Sequence, residues 1–294
     1  MILIAGATGT LGTMLVHRLR TRGATIRVLT RDPARAAHLA GPGVDIVRGD
    51  LRDAESLRCA VAGTDVVVAA AHGFGDANDE SPATVDRLGN FNLVDAAAGE
   101  GAAVVLMSIV GAAPDSPMEL FRAKHDAEEH LRKSGVRWTI VRATAFIETW
   151  TQIMGPPLRA KGRTIVFGRG DNPINFVAAA DVAALLERVV LDPTLREQVI
   201  EIGGTSNLTF NQVATLLEHQ LGHSGEARHI PRPLLRAMGL MLRGIKPALA
   251  RHVRAAVVMD THDMTFDSTS TRQRFPDVPQ TDLAAAVRSC LGGA

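Results

Sequence analysis

The chain opens with a short apolar run, residues 2–5, followed directly by Gly6-Ala7-Thr8-Gly9-Thr10-Leu11-Gly12. Apolar side chains then recur at helical spacing, at Leu11, Met14, Leu15 and Leu19. Glycines between a strand and a helix permit a tight turn and let a pyrophosphate approach the free N–H groups of the helix N-terminus. This context predicts a dinucleotide-binding turn, with a turn that binds no ligand as the alternative. The residues expected to contact the cofactor are Gly6, Thr8, Gly9, Thr10, Leu11 and Gly12.

Short β-branched runs alternate with helical stretches through the first half of the chain. The predicted strands are residues 2–5, 25–29, 44–47, 65–70, 103–108 and 136–141. Residues 81–99 and 118–134 have the length of helices that cross from one strand to the next. This alternation is typical of a parallel sheet wrapped by helices. We therefore predict an α/β fold with a Rossmann-type doubly wound parallel sheet, formed by residues 1–145.

Residues 146–294 are predicted to form a smaller C-terminal lobe that binds substrate. Within it, residues 228–258 carry many arginines and no carboxylate, and Gly244 and Pro247 divide them into two helices. An apolar stripe runs along this helical hairpin, formed by Leu234, Leu235, Met238, Leu242 and Ile245. We interpret the hairpin as a lid over a flat hydrophobic substrate. A solvated helix pair and a basic surface for membrane or nucleic acid are the alternatives.

The composition narrows the class of partners. Lys and Arg number 32 and Asp and Glu 31, so the net charge of +1 provides no field that would attract nucleic acid or an anionic membrane. Cys59 and Cys290 have neither CxxC nor metal-ligand spacing, which indicates a reducing compartment and no bound metal. No apolar run approaches the roughly 20 residues of a membrane-spanning helix, and the first residues lack a basic signal region. We expect a cytoplasmic monomer or homodimer.

The end of the second predicted strand indicates which dinucleotide is bound. Thr30 occupies the position where a carboxylate would accept from the adenosine ribose of NAD. Arg31 follows, with Arg35 nearby, and guanidinium groups suit the 2′-phosphate of NADP. We therefore predict NADP(H) as the cofactor, with a solvated surface role for Arg31 as the alternative. Asp50 and Leu51 are placed to meet the adenine, although Asp50 could equally cap the following helix.

Several further motifs accompany the glycine-rich turn along most of the chain. They are Gly49-Asp50-Leu51, Val85-Asp86, Asn92-Leu93-Val94-Asp95-Ala96-Ala97, Ser108, Phe121-Arg122-Ala123-Lys124, Val141-Arg142-Ala143 and Asp181-Val182-Ala183. With these motifs the chain resembles the atypical short-chain dehydrogenase/reductases, specifically the NmrA-like group. The resemblance implies a nucleotide-binding core and a C-terminal lobe that closes over substrate.

The resemblance also implies a catalytic Ser, Tyr and Lys. The family's serine and lysine correspond to Ser108 and Lys124, which would also contact the nicotinamide end of the cofactor. The tyrosine position is Leu120, and the chain contains no tyrosine at all. Hydride delivery to a ketone builds negative charge on oxygen, which needs a donor. The usual acid is therefore missing.

Other residues around the nicotinamide end are candidates for that role. Ala70, Ala71 and His72 follow the fourth predicted strand, where they are expected to contact the cofactor, and His72 is an alternative proton donor. Thr144, after the sixth strand, is a further candidate at the cofactor. Alternatively a phenol of the substrate itself shares its proton with the developing alkoxide. Polycyclic aromatic polyketides have that geometry, and the chain resembles angucyclinone ketoreductases of the simocyclinone type from antibiotic pathways.

These observations predict an NADPH-dependent ketoreductase acting on a hydrophobic ketone of the polycyclic aromatic polyketide type. Reduction of a quinone or enone is the nearest enzymatic alternative. The rival from another class is an NADP-binding redox sensor, with which the missing tyrosine is consistent, because the resemblance extends to NmrA-like proteins that are such sensors. Fold-level resemblance does not determine the substrate.

Overall fold

A computed structural model of the chain describes residues 1–73, 80–222 and 227–292. Among these, one compact unit holds residues 1–73, 80–143 and 182–201, and a second holds residues 144–181, 202–222 and 227–292.

The strands are β1 (Ile2–Ala5), β2 (Ile26–Thr30), β3 (Val44–Arg48), β4 (Val66–Ala69), β5 (Ala103–Ile109), β6 (Trp138–Ala143), β7 (Ala145–Phe146), β8 (Ile165–Phe167), β9 (Ile174–Val177), β10 (Gln198–Ile202), β11 (Asn207–Leu208) and β12 (Arg228–Ile230). The α-helices are α1 (Thr10–Thr21), α2 (Ala54–Val61), α3 (Asn90–Glu100), α4 (Glu119–Lys133), α5 (Ile147–Lys161), α6 (Ala179–Leu191), α7 (Phe210–Leu221), α8 (Arg232–Met241), α9 (Pro247–Met259), α10 (Thr269–Arg274) and α11 (Leu283–Gly292).

The first unit contains a seven-stranded sheet in the order β10-β6-β5-β4-β1-β2-β3. The pairings from β3 through to β6 are parallel, and Ile2 of β1 lies opposite Ile26 of β2 and Val66 of β4. The strands are near-continuous apolar runs because helices cover both faces of such a sheet. The strand order reverses beside β1, and ligands bind at the carboxyl ends of the strands at such a point. The predicted Rossmann-type α/β fold is confirmed.

Local sequence determines where the helices of this unit begin. Asp53 accepts from the backbone N–H groups of Glu55 and Ser56 and so caps α2. Ser81 forms a capping box with Thr84, and a π-helical stretch, Pro82–Gly89, then leads directly into α3. A π-helix of this kind is rare and often marks a functional site. The helix predicted over residues 81–99 is therefore present, but its first half has a wider turn than the sequence periodicity indicated.

The second unit contains two small sheets, β11-β9-β7 and β12-β8. Thr209 and Gln212 form a capping box at the start of α7, and Gly222 ends that helix in the left-handed region. Helices α8 and α9 form the predicted hairpin, although residues 228–230 belong to strand β12 instead. Exposed apolar side chains cluster on this hairpin, at Leu234, Leu240, Met241, Ile245 and Leu249.

The chain returns to the first unit after residue 181. Strand β10 lies beside β6 at the edge of the large sheet, and the buried Glu187 of α6 ion-pairs with Arg18 and Arg22 of α1 at 2.5 and 2.6 Å. The sequence pattern had placed residues 182–201 in the C-terminal lobe, because a local run of apolar residues does not show which sheet a strand joins. Within the described residues, no helix combines the length and the apolar character that crossing a bilayer requires.

Candidate active site

The glycine-rich turn connects β1 to α1, and two of its glycines are required by backbone packing. Gly6 has a φ of +92°, and a Cβ there would lie 2.6 Å from the backbone nitrogen of Ala71. A Cβ on Gly12 would lie 2.2 Å from the carbonyl oxygen of Gly6. Both distances are far below van der Waals contact, so the turn closes tightly only with glycine at these positions.

Gly9 differs because its surroundings are open. It is the exposed N-cap residue of α1, and the nearest atom to a Cβ there would be the Gly6 oxygen at 3.5 Å. No side chain caps the helix, and its first turn contains no acidic residue. The N–H groups at the positive end of α1 therefore remain available to an anion. Thr8, Thr10 and Leu11 surround this cradle with half-buried or exposed side chains, so the turn fits a pyrophosphate.

The end of β2 carries the residues predicted to bind the adenosine phosphate. The buried Thr30 donates its hydroxyl to the carbonyl of Asp32 at 3.1 Å, and the Asp32 carboxylate accepts from the N–H of Ala34 at 3.0 Å. Arg31 is exposed and forms an ion pair with Glu80. Arg35 is also exposed, on a 3₁₀ helix formed by Pro33–Leu39. Two guanidinium groups thus lie within one short segment, and β2 itself contains no acid.

Asp50 follows β3 and is bound by its neighbour. Its carboxylate accepts from the Arg52 guanidinium at 2.6 and 3.0 Å and from the Arg52 N–H at 2.9 Å. These bonds outweigh partial burial and, with the charge of Arg31, hold the pKa of Asp50 below its ordinary value. The alternative role of Asp50 as a helix cap is wrong, because Asp53 caps α2. Leu51 is buried, and its Cβ would lie 2.9 Å from a Cβ added to Gly89.

The segment after β4 lies against the glycine-rich turn. Ala70 donates its N–H to the carbonyl of Ala5 at 2.9 Å, and the backbone of Ala70 and Ala71 leaves no room for a side chain on Gly6. His72 is exposed. Ala70 and Ala71 thus lie against the phosphate turn.

Lys124 and Asp86 form a buried ion pair. The Lys124 Nζ lies 2.9 Å from Asp86 Oδ1, and the other oxygen of Asp86 accepts from the N–H of Gly73 at 2.7 Å. Asp86 lies on the π-helical stretch and Lys124 on α4, so the pair ties both helices to the segment after β4. The ammonium group has three donors and only one partner among the described residues. Lys124 therefore retains donors for a ribose hydroxyl. Sequence reasoning missed this role of Asp86, although Val85-Asp86 is one of the motifs that carry the resemblance.

Ser108 lies at the end of β5 and donates to a buried carboxylate. Its Oγ lies 2.5 Å from Glu128 Oε1, and Glu128 also accepts from Arg142 at 2.7 and 2.9 Å and from Arg132 at 3.1 Å. Burial raises the pKa of Glu128, but the hydrogen bonds from Arg142 and Ser108 outweigh it and the pKa lies below its ordinary value. A serine has one proton to donate. In this arrangement that proton is directed to Glu128.

Sequence reasoning missed Glu128 as a functional partner. The available signal was its position one helical turn after Lys124, which puts both side chains on one face of α4. Leu120, at the tyrosine position, is half-buried in the first turn of the same helix.

Within the second unit, Thr144 and Glu148 are both committed to internal contacts. The buried Thr144 donates its hydroxyl to Asn175 Oδ1 at 2.9 Å. Glu148 Oε1 accepts from the N–H of Ala179 at 2.9 Å, while its Oε2 is buried without a hydrogen bond among the described residues. Burial raises the pKa of Glu148, and the charge of Asp181 adds to the effect.

The sequence matches the model of the NmrA-like family over residues 1–265. The chain belongs to the NmrA-like family. The predicted resemblance to the NmrA-like group is thereby confirmed, and the match ends at residue 265, before α10 and α11.

Several relatives of the chain carry the names of reductases or oxidoreductases. NAD(P)H azoreductase of Xenophilus azovorans is 29% identical over 76% of this chain and 74% of its own length. A (4-alkanoyl-5-oxo-2,5-dihydrofuran-3-yl)methyl phosphate reductase of Streptomyces griseus is 30% identical over 76% and 74%. Quinone oxidoreductase 2 of Escherichia coli is 25% identical over 98% of this chain and 97% of its own.

Solved structures agree on the fold. The NADPH complex of the Escherichia coli quinone oxidoreductase superposes with a TM-score of 0.79 at 24% identity, covering 99% of this chain and 100% of the other. The NADP(H) complex of Citrobacter triphenylmethane reductase gives the same TM-score at 20% identity, with 99% and 100% coverage. The NmrA-like chain therefore shares a complete architecture with reductases that bind a nicotinamide dinucleotide.

Proposed function

We propose that this NmrA-like protein is an NADPH-dependent reductase of a flat, conjugated carbonyl compound. The observation that carries the proposal is the open, uncapped N-terminus of α1 at Gly9, with no acid in its first turn and with Arg31 at the end of β2. The cradle fits a pyrophosphate and Arg31 fits an adenosine 2′-phosphate. The bound dinucleotide supplies the hydride. The Lys124 ammonium group, which has N–H donors beyond the one directed to Asp86, binds the nicotinamide ribose.

The hydrogen bonds of the candidate acids favour an acceptor that needs no strong acid from the protein. Ser108 donates its proton to Glu128 and Thr144 donates to Asn175, and the chain has no tyrosine. Negative charge that develops on an isolated ketone would lack a hydroxyl donor from these residues. A conjugated acceptor spreads that charge over its ring system. Azo compounds, quinones and triphenylmethane dyes, named for the relatives, are acceptors of this kind.

Within this class we propose a ketone of a polycyclic aromatic polyketide as substrate, with an adjacent phenol as its proton source. The phenol shares its proton with the developing alkoxide, and the protein orients the ring system beside the cofactor. His72, exposed after β4, is the protein's own alternative donor. Quinone reduction is the second candidate, supported by the similarity to quinone oxidoreductase 2 over nearly the whole chain.

The helical hairpin offers an apolar surface suited to such a substrate. Leu240, Met241 and Ile245 are 75%, 68% and 75% exposed around the junction of α8 and α9. Exposed apolar clusters on a soluble protein mark binding sites more often than chance. We propose that residues 228–258 act as a lid that covers the aromatic substrate. Replacing Leu240 and Ile245 by serine should raise the KM for a polycyclic ketone and leave the Kd for NADPH unchanged, whereas an unchanged KM excludes the lid.

A matched substrate pair tests the reaction itself. NADPH oxidation is followed with a hydroxylated polycyclic ketone, with the same ketone lacking the adjacent hydroxyl, and with a quinone. Turnover of the first compound and loss of turnover with the second support substrate assistance, while equal rates refute it. His72→Ala should leave the rate with the hydroxylated ketone within about twofold of wild type, because the phenol supplies the proton. If His72 were the general acid, the rate should fall on the order of 100-fold or more. Tight binding of NADP⁺ and NADPH without consumption by any acceptor would instead identify a redox sensor.

A further inference from the structure

The guanidinium of Arg31, assigned to the adenosine phosphate, is already bound by a carboxylate. Glu80 pairs with it through Oε1, and the side chain of Glu80 is only 14% exposed against 45% for Arg31. A largely buried acid beside a half-exposed cation holds that cation at the end of β2. A ligand that binds the Arg31 guanidinium therefore comes into contact with the Glu80 carboxylate.

The charged side chains near Arg31 differ in whether they already have a partner. Arg52 is bound to Asp50, and the Asp32 carboxylate accepts from the N–H of Ala34. Arg35 is exposed and makes no ion pair within the described part of the chain. Glu80 is thus the carboxylate in contact with the cation that a 2′-phosphate would use.

NADPH and NADH differ at the 2′-position of the adenosine ribose and therefore require different side chains there. The 2′-phosphate of NADPH carries negative charge and pairs with guanidinium groups, whereas the ribose 2′-hydroxyl of NADH donates to a carboxylate. A 2′-phosphate on Arg31 must displace Glu80 from part of its ion pair and remain close to a like charge. The ribose 2′-hydroxyl of NADH would instead find the Glu80 carboxylate as a hydrogen-bond acceptor.

We propose that Glu80 determines the discrimination between NADPH and NADH. It competes with the 2′-phosphate for Arg31 and accepts a hydrogen bond from the ribose 2′-hydroxyl of NADH. The wild-type protein therefore binds both dinucleotides, with a preference for NADPH that Arg31 and Arg35 create and Glu80 limits. This inference rests on the proposed dinucleotide-binding function.

The test is Glu80→Gln, which keeps the shape of the side chain and removes its charge. We expect NADP⁺ to bind about fivefold more tightly, equivalent to the approximately 1 kcal/mol of a partly exposed charge pair, and NAD⁺ to bind about twofold more weakly. Calorimetric titration of both dinucleotides measures the ratio of the two dissociation constants. Parallel titration with adenosine 2′,5′-bisphosphate and AMP should reproduce the change, because these probes contain only the adenosine end.

Two controls separate this effect from general electrostatics. Asp45→Asn removes a carboxylate from the Arg27–Asp45 pair, which joins β2 to the neighbouring β3 at 2.9 Å, and should leave the ratio unchanged. In an Arg31→Gln background, Glu80→Gln should no longer tighten NADP⁺. Glu80→Asp, which retains the charge, should shift the ratio less than Glu80→Gln.

An unchanged ratio in Glu80→Gln, with thermal unfolding like that of wild type, overturns the inference while leaving the proposed function intact. The same gain in the Arg31→Gln background also overturns it, because the effect would not pass through Arg31. A wild-type protein that binds neither dinucleotide overturns the proposed function and this inference with it.

Discussion

Replacing Gly9 by aspartate should abolish dinucleotide binding without destabilising the protein. Gly9 is the N-cap of α1 with extended backbone angles, φ −85° and ψ 169°, and no side chain caps the helix. Aspartate is a preferred N-cap residue whose carboxylate accepts from the free N–H groups of the first turn. The same N–H groups form the proposed pyrophosphate cradle. The new side chain would therefore fill the cradle with the protein's own anion.

The structure sets the expected magnitudes. A Cβ on Gly9 has its nearest neighbour at 3.5 Å, an ordinary contact, so the substitution introduces no clash. Capping and the helix dipole should together stabilise the fold by about 0.3–1 kcal/mol, which raises Tm by about 1–4 °C. Loss of the N–H donors and repulsion between carboxylate and pyrophosphate should weaken NADPH binding at least about 100-fold, or roughly 3 kcal/mol.

Two measurements on each variant check this reasoning. Thermal unfolding of the free protein reports the stability, and calorimetric titration with NADPH reports the affinity. Gly9→Ala, which adds only the Cβ, should weaken binding much less than Gly9→Asp. Gly99→Asp serves as the charge control, because a Cβ on Gly99 has no neighbour within 4 Å and this position lies near the end of α3. An affinity of Gly9→Asp within about twofold of wild type would refute the cradle, since a dinucleotide on these N–H groups cannot tolerate that carboxylate.

The remaining predictions concern stability. Gly12→Ala should prevent folding, because its Cβ would lie 2.2 Å from the Gly6 carbonyl oxygen; soluble expression and circular dichroism check this. Glu128→Gln should lower the free energy of unfolding by about 3 kcal/mol at neutral pH, because it leaves Arg142 without its buried counter-charge. The pKa of Glu128 is lowered in the folded state, so wild type should lose its advantage over this variant as pH falls through that pKa, measured by urea denaturation across pH. Glu148→Gln should show the opposite trend: the folded-state pKa of Glu148 is raised, so the stability of wild type relative to the variant should fall as pH rises through the ordinary carboxyl range, and a flat difference would contradict the burial of that charge.

Much of the fold could be predicted from local patterns. Apolar runs of strand length separated by helical stretches predicted the first six strands to within about two residues, the usual uncertainty of strand ends. Both ends of α7 follow from residue type, because threonine favours the N-cap and glycine favours the left-handed position at the C-terminus. Strand β10 was assigned to the wrong unit because its pairing with β6 is a long-range contact. The π-helical turn at Pro82–Gly89 was missed for a similar reason: its spacing depends on packing that the periodicity of one segment does not contain.

The sequence predicted which residues belong to the candidate site but not which side chains form ion pairs and hydrogen bonds there. The glycine-rich turn, Arg31 and Lys124 stand in motifs whose chemistry follows from residue type and context. Their partners do not: Glu80 and Asp86 lie far along the chain from Arg31 and Lys124. Ser108 and Glu128 are 20 residues apart, and no local rule predicts that the serine proton points to that carboxylate. Ion pairs of this kind depend on which helix faces meet after folding.

The return of the chain to the large sheet limits how the protein can be divided. A fragment cut near residue 145 would contain every glycine of the phosphate turn, yet it would lack β10 and all of α6. Strand β6 would then present an unpaired edge, Arg18 and Arg22 would lose Glu187, and Arg142 would lose Glu201 at 3.3 Å. Such exposed edges promote aggregation. A minimal nucleotide-binding fragment must therefore be engineered by excising residues 144–181 and rejoining the ends, since simple truncation removes part of the sheet it aims to isolate.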